Sequence, residues 1–187
     1  MPGPMEIFAE LFSIYRDRGA DAYFGEPLTV TEHSLQAAHF AQGSNAPDTL
    51  ILAALLHDIG HLLGNAPNDL AEWKTDARHE VSGSKWLKSR FNPGVSEPVR
   101  LHVPAKRYLC ATDATYFDKL SPASVVTLRL QGGPMSESEV RAFEAEPFFR
   151  EAVLLRQCDE EAKIAGLTTP DFPHYRVLIE RLAVGRS

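Results

Sequence analysis

One stretch constrains this chain more than any other. Leu50-Ile51-Leu52-Ala53-Ala54-Leu55-Leu56 runs without a break into His57-Asp58-Ile59-Gly60-His61-Leu62-Leu63. Pro47 and Asp48 suit a first helical turn and Gly64 a stop, so the spacing predicts one helix between them. A helix that is apolar on all sides is a buried helix. The fold must therefore enclose it, and its end carries imidazoles and a carboxylate into the interior.

The rest of the chain supplies helices to enclose it. Ile7, Phe8, Leu11, Phe12 and Tyr15 form an apolar stripe at helical spacing that stops near Gly19. Thr29-Val30-Thr31-Glu32 reads as a capping box opening a helix to about Ala41, and Ser136 to Glu139 reads as another. Further helices are expected from Asp76 to Arg90, just before His102, from Ser121-Pro122 to Gly132-Gly133, from Phe148 to Ile164 and from His174 to Ala183. Pro104 to Leu120 is expected to be irregular. Alternating β patterns are nearly absent, so the fold class is all-α: a bundle of roughly eight helices in a single domain spanning residues 1–187.

Composition excludes several functions. A net charge of −6 argues against a nucleic-acid partner, which would require a basic face. No segment approaches the roughly 18 apolar residues of a spanning helix, so no membrane role is expected. Cys110 and Cys158 are far apart and form no CxxC, which points to a reducing cytoplasm. No obligate protein partner is inferred.

The chemistry is carried by His57-Asp58. Adjacent helical residues are offset by about 100°, so an imidazole and a carboxylate can grip one metal ion while the second carboxylate oxygen reaches another. A lone HD dipeptide is more often a solvated helix end. Here His33 lies on the preceding helix, His79 and His102 on later ones, and Asp159 late in the chain. These are ligand types for first-row transition metals, spread across the helices.

The order His…His-Asp…His…His…Asp resembles the HD-domain superfamily. In that resemblance His33, His57, Asp58 and Asp159 form one metal site, Asp58 bridges to a second, and His79 and His102 complete it. The first site then keeps about two octahedral positions for substrate, and the second keeps room for water or dioxygen. A more specific likeness covers nearly the whole chain, with a core at about residues 23–164. It rests on Tyr23-Phe24-Gly25-Glu26, Glu32-His33-Ser34-Leu35-Gln36, LAALLHDIGH, His102-Val103-Pro104-Ala105-Lys106-Arg107-Tyr108-Leu109 and Gln131-Gly132-Gly133-Pro134-Met135. These segments are similar to the mixed-valent di-iron HD oxygenases, which cleave the carbon–phosphorus bond of 1-hydroxy-2-aminoethylphosphonates. The glycine-forming 2-amino-1-hydroxyethylphosphonate dioxygenases belong to that group.

The resemblance implies two iron ions, Fe(II)/Fe(III), with a phosphonate and dioxygen as the small-molecule partners. Substrate would chelate the first iron through its 1-hydroxyl and one phosphonate oxygen, and C1 would be oxidised to release phosphate. Lys106, His61, Ser124 and Arg156 are then expected around the phosphonate, Arg156 being as readily a structural ion pair. Glu26 would meet the amine, and Tyr23 would cover the second iron until substrate arrives. Phe24 and Trp73 offer aromatic faces to a quaternary ammonium, which tilts the expected substrate slightly towards the trimethylammonio form, giving glycine betaine, over the primary amine. Two rivals stand beside this reading. A metal-dependent phosphohydrolase would use the same six ligands on a phosphoester, and a non-catalytic metal-binding module would close its coordination sphere.

Overall fold

The structure is a computed structural model and describes residues 2–23, 25–63 and 78–184. The expected helix end at Gly64, the helix start at Asp76, and Phe24 and Trp73 lie outside these residues. Among the described residues the fold is all-α, without a strand. Its helices are α1 (Pro4–Arg18), α2 (Val30–Gly43), α3 (Asp48–Leu56), α4 (Ile59–Leu63), α5 (His79–Lys88), α6 (Pro93–Thr112), α7 (Pro122–Leu130), α8 (Glu137–Glu144), α9 (Phe149–Glu161) and α10 (Arg176–Leu182). No helix among them is long and apolar enough to cross a membrane.

The apolar run behaves as its composition requires. Every residue from Leu50 to Leu56 is buried, and α3 packs against α2, α6, α9 and α10. The capping box at Thr29 forms in full: its side chain accepts from the Glu32 N–H while Glu32 reaches back to the Thr29 N–H. That box sets where α2 begins, and thereby which way His33 points in its first turn. A single cluster of buried apolar side chains runs from Ile7 on α1 through α3 to Ile179 on α10.

Two expectations about the helices are corrected. The helix from Asp48 does not run on to Leu63. It breaks at His57 and Asp58, where the His61 N–H bonds the Asp58 carbonyl at 3.0 Å in a tight i→i+3 turn before α4 continues. Pro104 to Leu120 is not irregular throughout, because α6 continues through Pro98 and Pro104 to Thr112. An interior proline forfeits a backbone hydrogen bond and costs about 3 kcal/mol. Burial of Val95, Val99, Leu101, Val103, Ala105 and Leu109 along α6 outweighs that cost. His102 consequently sits in the middle of a long, rigid helix.

Candidate metal centre and substrate cavity

The six sequence-predicted ligands converge from five elements. His33 comes from α2, His57 and Asp58 from the α3–α4 turn, His79 from the first turn of α5, His102 from α6 and Asp159 from the last turn of α9. All six are buried. The imidazoles meet in two pairs: His33 Nε2 lies 3.1 Å from His57 Nε2, and His79 Nε2 lies 3.1 Å from His102 Nε2. Asp58 stands between the pairs. Its Oδ2 is 3.4 Å from His57 Nε2 and 3.7 Å from His33 Nε2, while its Oδ1 is 3.2 Å from His79 Nε2 and 3.7 Å from His102 Nε2. Asp159 Oδ1 joins the first pair, 3.3 Å from His33 Nε2.

The other ring nitrogens show that the contact between His33 and His57 is not a hydrogen bond between neutral rings. His33 Nδ1 is 2.8 Å from the Ala162 carbonyl oxygen, His57 Nδ1 2.8 Å from that of Ala54, and His102 Nδ1 2.7 Å from that of Val99. A carbonyl only accepts, so each Nδ1 carries the proton and each Nε2 presents a lone pair. Burial pushes the His57 pKa down, and burial with the nearby His79 lowers His102 to about 3, so both rings stay neutral. The facing lone pairs of His33 and His57 repel at 3.1 Å unless a cation lies between them. Donors at neighbouring corners of an octahedral ion with bonds of ~2.1 Å stand roughly 3 Å apart. The spacing fits a metal at each pair, and two ligand groups sharing Asp58 emerge from the geometry, one with His33 and His57, the other with His61 and His79.

Charge supports the same conclusion. Burial alone would raise the carboxyl of Asp58, yet His57 and the other imidazoles around it hold it well below the usual carboxylate range. Burial likewise opposes ionisation of Asp159, and the Arg156 guanidinium together with His33 and His57 holds it well below the usual carboxylate range. His79 is the exception among the rings. Burial opposes its charging, but the hydrogen bond to Asp58 together with the charges of Asp58 and Glu80 raises its pKa.

A cavity of about 50 Å³ opens against the centre. It is lined by Tyr23, Glu26, His61, Lys106, Ser124 and Arg156 together with the ligands Asp58, His79, His102 and Asp159, and also by Thr127, Gln131 and Lys163. His33 and His57 stand behind it, fully buried. Lys106 donates to Thr127 Oγ1 at 2.8 Å, and burial, reinforced by the charge of Arg156, brings its ammonium down to about 7. Arg156 pairs with both Asp159 and Glu160 and bonds the Tyr116 hydroxyl at 2.9 Å, so it is part of the cavity wall and of an ion-pair network at once. The His61 ring stacks on His79, with centroids 3.9 Å apart. Glu26 turns a buried oxygen, Oε1, without a hydrogen-bond partner.

Tyr23 is placed differently from the expectation. Its hydroxyl donates to Asp58 Oδ2 at 2.8 Å and its ring stacks on His33 at 3.9 Å. It therefore lies against the His33–His57 pair, not over the His79–His102 pair, because the carboxylate oxygen it bonds is the one turned towards His33.

The second pair depends on a close helix crossing. A Cβ added at Gly60 would meet the His79 carbonyl oxygen at 2.0 Å, with Ser82 Oγ at 2.8 Å. Gly60→Ala is therefore expected to separate α4 from α5, destabilising the protein by about 1–3 kcal/mol and selectively loosening metal at the His79–His102 pair. Urea unfolding with metal analysis of the desalted protein checks both effects.

Comparison with known proteins agrees with this construction. The HD domain family profile matches residues 30–161, and the chain belongs to that family. It is 45% identical over 181 residues to the hydroxymethylphosphonate dioxygenase of Gimesia maris, covering 95% of this chain and 88% of the relative. It is 41% identical over 169 residues to the glycine-betaine-forming [1-hydroxy-2-(trimethylamino)ethyl]phosphonate dioxygenase of Leisingera caerulea, covering 90% and 86%. An uncharacterised protein of Acanthamoeba polyphaga mimivirus is 33% identical over 92% of this chain and 80% of its own length. Within the HD family the chain stands with the phosphonate oxygenases, oxidoreductases that cleave a carbon–phosphorus bond, and not with the phosphohydrolases.

Proposed function

We propose that the centre holds two iron ions in mixed valence, bridged by Asp58, and that the protein cleaves the carbon–phosphorus bond of a 1-hydroxyphosphonate bearing a cationic nitrogen at C2. His33, His57 and Asp159 complete one site, and His79 with His102 the other. The ions, when bound, supply dioxygen activation and the oxidation of C1. Everything else falls to the chain. Lys106, Ser124, Arg156 and His61 receive the phosphonate oxygens and fix the direction of C1. The Tyr23 hydroxyl holds the bridging carboxylate and withdraws as substrate enters. The apolar wall of Leu55, Leu56 and Ile59, all buried, keeps water from the far side.

The observation that carries the choice of substrate is Glu26. A buried carboxyl oxygen that lacks a partner is costly, and a cation arriving in the same cavity relieves that cost. An ammonium does so with or without N–H groups, so the trimethylammonio compound, named for the Leisingera relative, and the primary amine both fit. The Gimesia relative supports a second reading, hydroxymethylphosphonate, which has no nitrogen to offer Glu26. We place the reaction in the cytoplasm, where the free thiols Cys110 and Cys158 suit a reducing medium. Residues 1–187 work as one domain in this reading, with no further protein required.

The test is phosphate release under air by iron-loaded protein, offered the trimethylammonio, amino and unsubstituted hydroxyphosphonates in parallel. Both nitrogenous substrates are expected to exceed hydroxymethylphosphonate in kcat/KM by about tenfold or more, and Glu26→Gln to erase most of that difference. Preference for hydroxymethylphosphonate would reject the cation reading. Turnover of a phosphoester instead would return the chain to the hydrolases.

A further inference from the structure

Lys163 lies just past the end of α9, where a helical pattern no longer predicts its direction. Its backbone is nonetheless pinned on both sides. The Ala162 carbonyl before it accepts from ligand His33, and Ile164 after it is clamped by the buried Gln36 side chain. The Gln36 amide donates to the Ile164 carbonyl at 2.7 Å and accepts from the Ile164 N–H at 3.0 Å. This fixation directs the Lys163 ammonium to Ser124 Oγ at 2.8 Å, Ser121 Oγ at 3.3 Å and Glu160 Oε1 at 2.8 Å. Arg156 Nη2 reaches the same Ser124 hydroxyl at 3.3 Å and also pairs with Glu160.

Two cations thus converge on one hydroxyl of the substrate cavity. The carboxylate that holds them, Glu160, does not line that cavity; it opens on a separate one beside Tyr116 and Gln157. We propose that Lys163 is a substrate-binding residue, parked on Glu160 and Ser124 until the phosphonate arrives and then donating to a phosphonate oxygen. Gln36 and Glu160 act through it as positioning residues. An ammonium is suited to this role because three rotatable donors let it keep Ser124 while it takes a new acceptor. The inference rests on the phosphonate reading above, and it assigns the seat a third cation beside Lys106 and Arg156.

The experiment measures inorganic phosphate binding to metal-loaded protein by calorimetry, and steady-state kinetics on the preferred phosphonate, for wild type, Lys163→Met and Lys163→Arg. Loss of a charge-assisted hydrogen bond is expected to weaken phosphate binding and raise KM by about 10- to 100-fold in Lys163→Met, with kcat changed less than about threefold. Lys163→Arg is expected to recover most of both losses. Gln36→Leu should raise KM in the same direction without removing any charge. Unchanged phosphate affinity and KM in Lys163→Met would overturn the assignment, as would equal losses in kcat and kcat/KM. Should Lys163→Met fail to fold, an Arg variant with wild-type affinity supports the cation role, and one as weak as a tenfold loss overturns it. If wild type turns over no phosphonate, the functional reading fails, while phosphate binding still decides whether Lys163 belongs to an anion seat.

Discussion

Asp58→Ala is expected to leave the protein unable to retain either metal ion, with phosphate release falling by at least about a thousandfold. Among the described residues, only the Asp58 carboxylate lies within 4 Å of both imidazole pairs. Its Oδ2 is 3.4 Å from His57 and its Oδ1 3.2 Å from His79, so one deletion removes a donor, and the compensating negative charge, from both sites together. Changes at single histidines should divide the centre instead: His33→Ala empties the first pair, and His102→Ala the second. Metal analysis after desalting distinguishes the cases, with neither ion kept in Asp58→Ala and partial retention in the histidine variants. Asp58→Asn is the sharper control. It preserves volume and one acceptor oxygen, so an equally complete loss would show that charge and bridging matter, beyond simple packing.

Lys106 carries the second large effect, and its sign reverses between activity and stability. Lys106→Met should lower kcat/KM by about 10- to 150-fold through loss of a charge-assisted bond to the phosphonate. Because the buried ammonium has a pKa of about 7, it is a full cation only below that pH. Wild-type kcat/KM should therefore fall as pH rises through about 7. Lys106→Arg, charged throughout, should lose that alkaline limb, and Lys106→Met should show none on a lower plateau. Stability runs the other way. The folded pKa lies below the ordinary lysine value of about 10.4, so the unfolded chain binds more protons from about pH 7 upward. Stability contributed by this group thus rises with pH through that window. At pH 6, where burying the charge costs most, Lys106→Met should resist urea better than wild type. A variant less active but more stable is the signature of a cation placed for substrate.

Much of this centre is legible in sequence because its chemistry is spread along helices. His33 follows a capping box that sets its turn, His57-Asp58 ends an unmistakably apolar run, and Asp159 occupies a terminal turn. Each signal is local, and only their order across the chain marks them as a set. What sequence hides is decided by tertiary packing. The break that turns Asp58 towards both pairs follows residues with strong helix patterning, and α6 continues through Pro104 because buried contacts outweigh the lost hydrogen bond. Thr127 and Gln131 line the cavity on the face of α7 that carries Ser124, spaced three and seven residues from it, which is a helical signal open to recognition once Ser124 is singled out. Lys163 had no such signal. Its direction comes from Gln36, distant in sequence. Tyr23 lies against His33 because a hydroxyl follows the carboxylate oxygen it bonds, which no spacing rule predicts.

A centre that spends dioxygen to break a carbon–phosphorus bond must couple oxygen uptake to phosphate release. Simultaneous measurement of oxygen uptake and phosphate release by iron-loaded protein, on whichever phosphonate it prefers, tests this coupling most directly. One dioxygen is expected to be consumed for each phosphate released, with no release once oxygen is removed. Phosphate released at an undiminished rate under anaerobic conditions would contradict it.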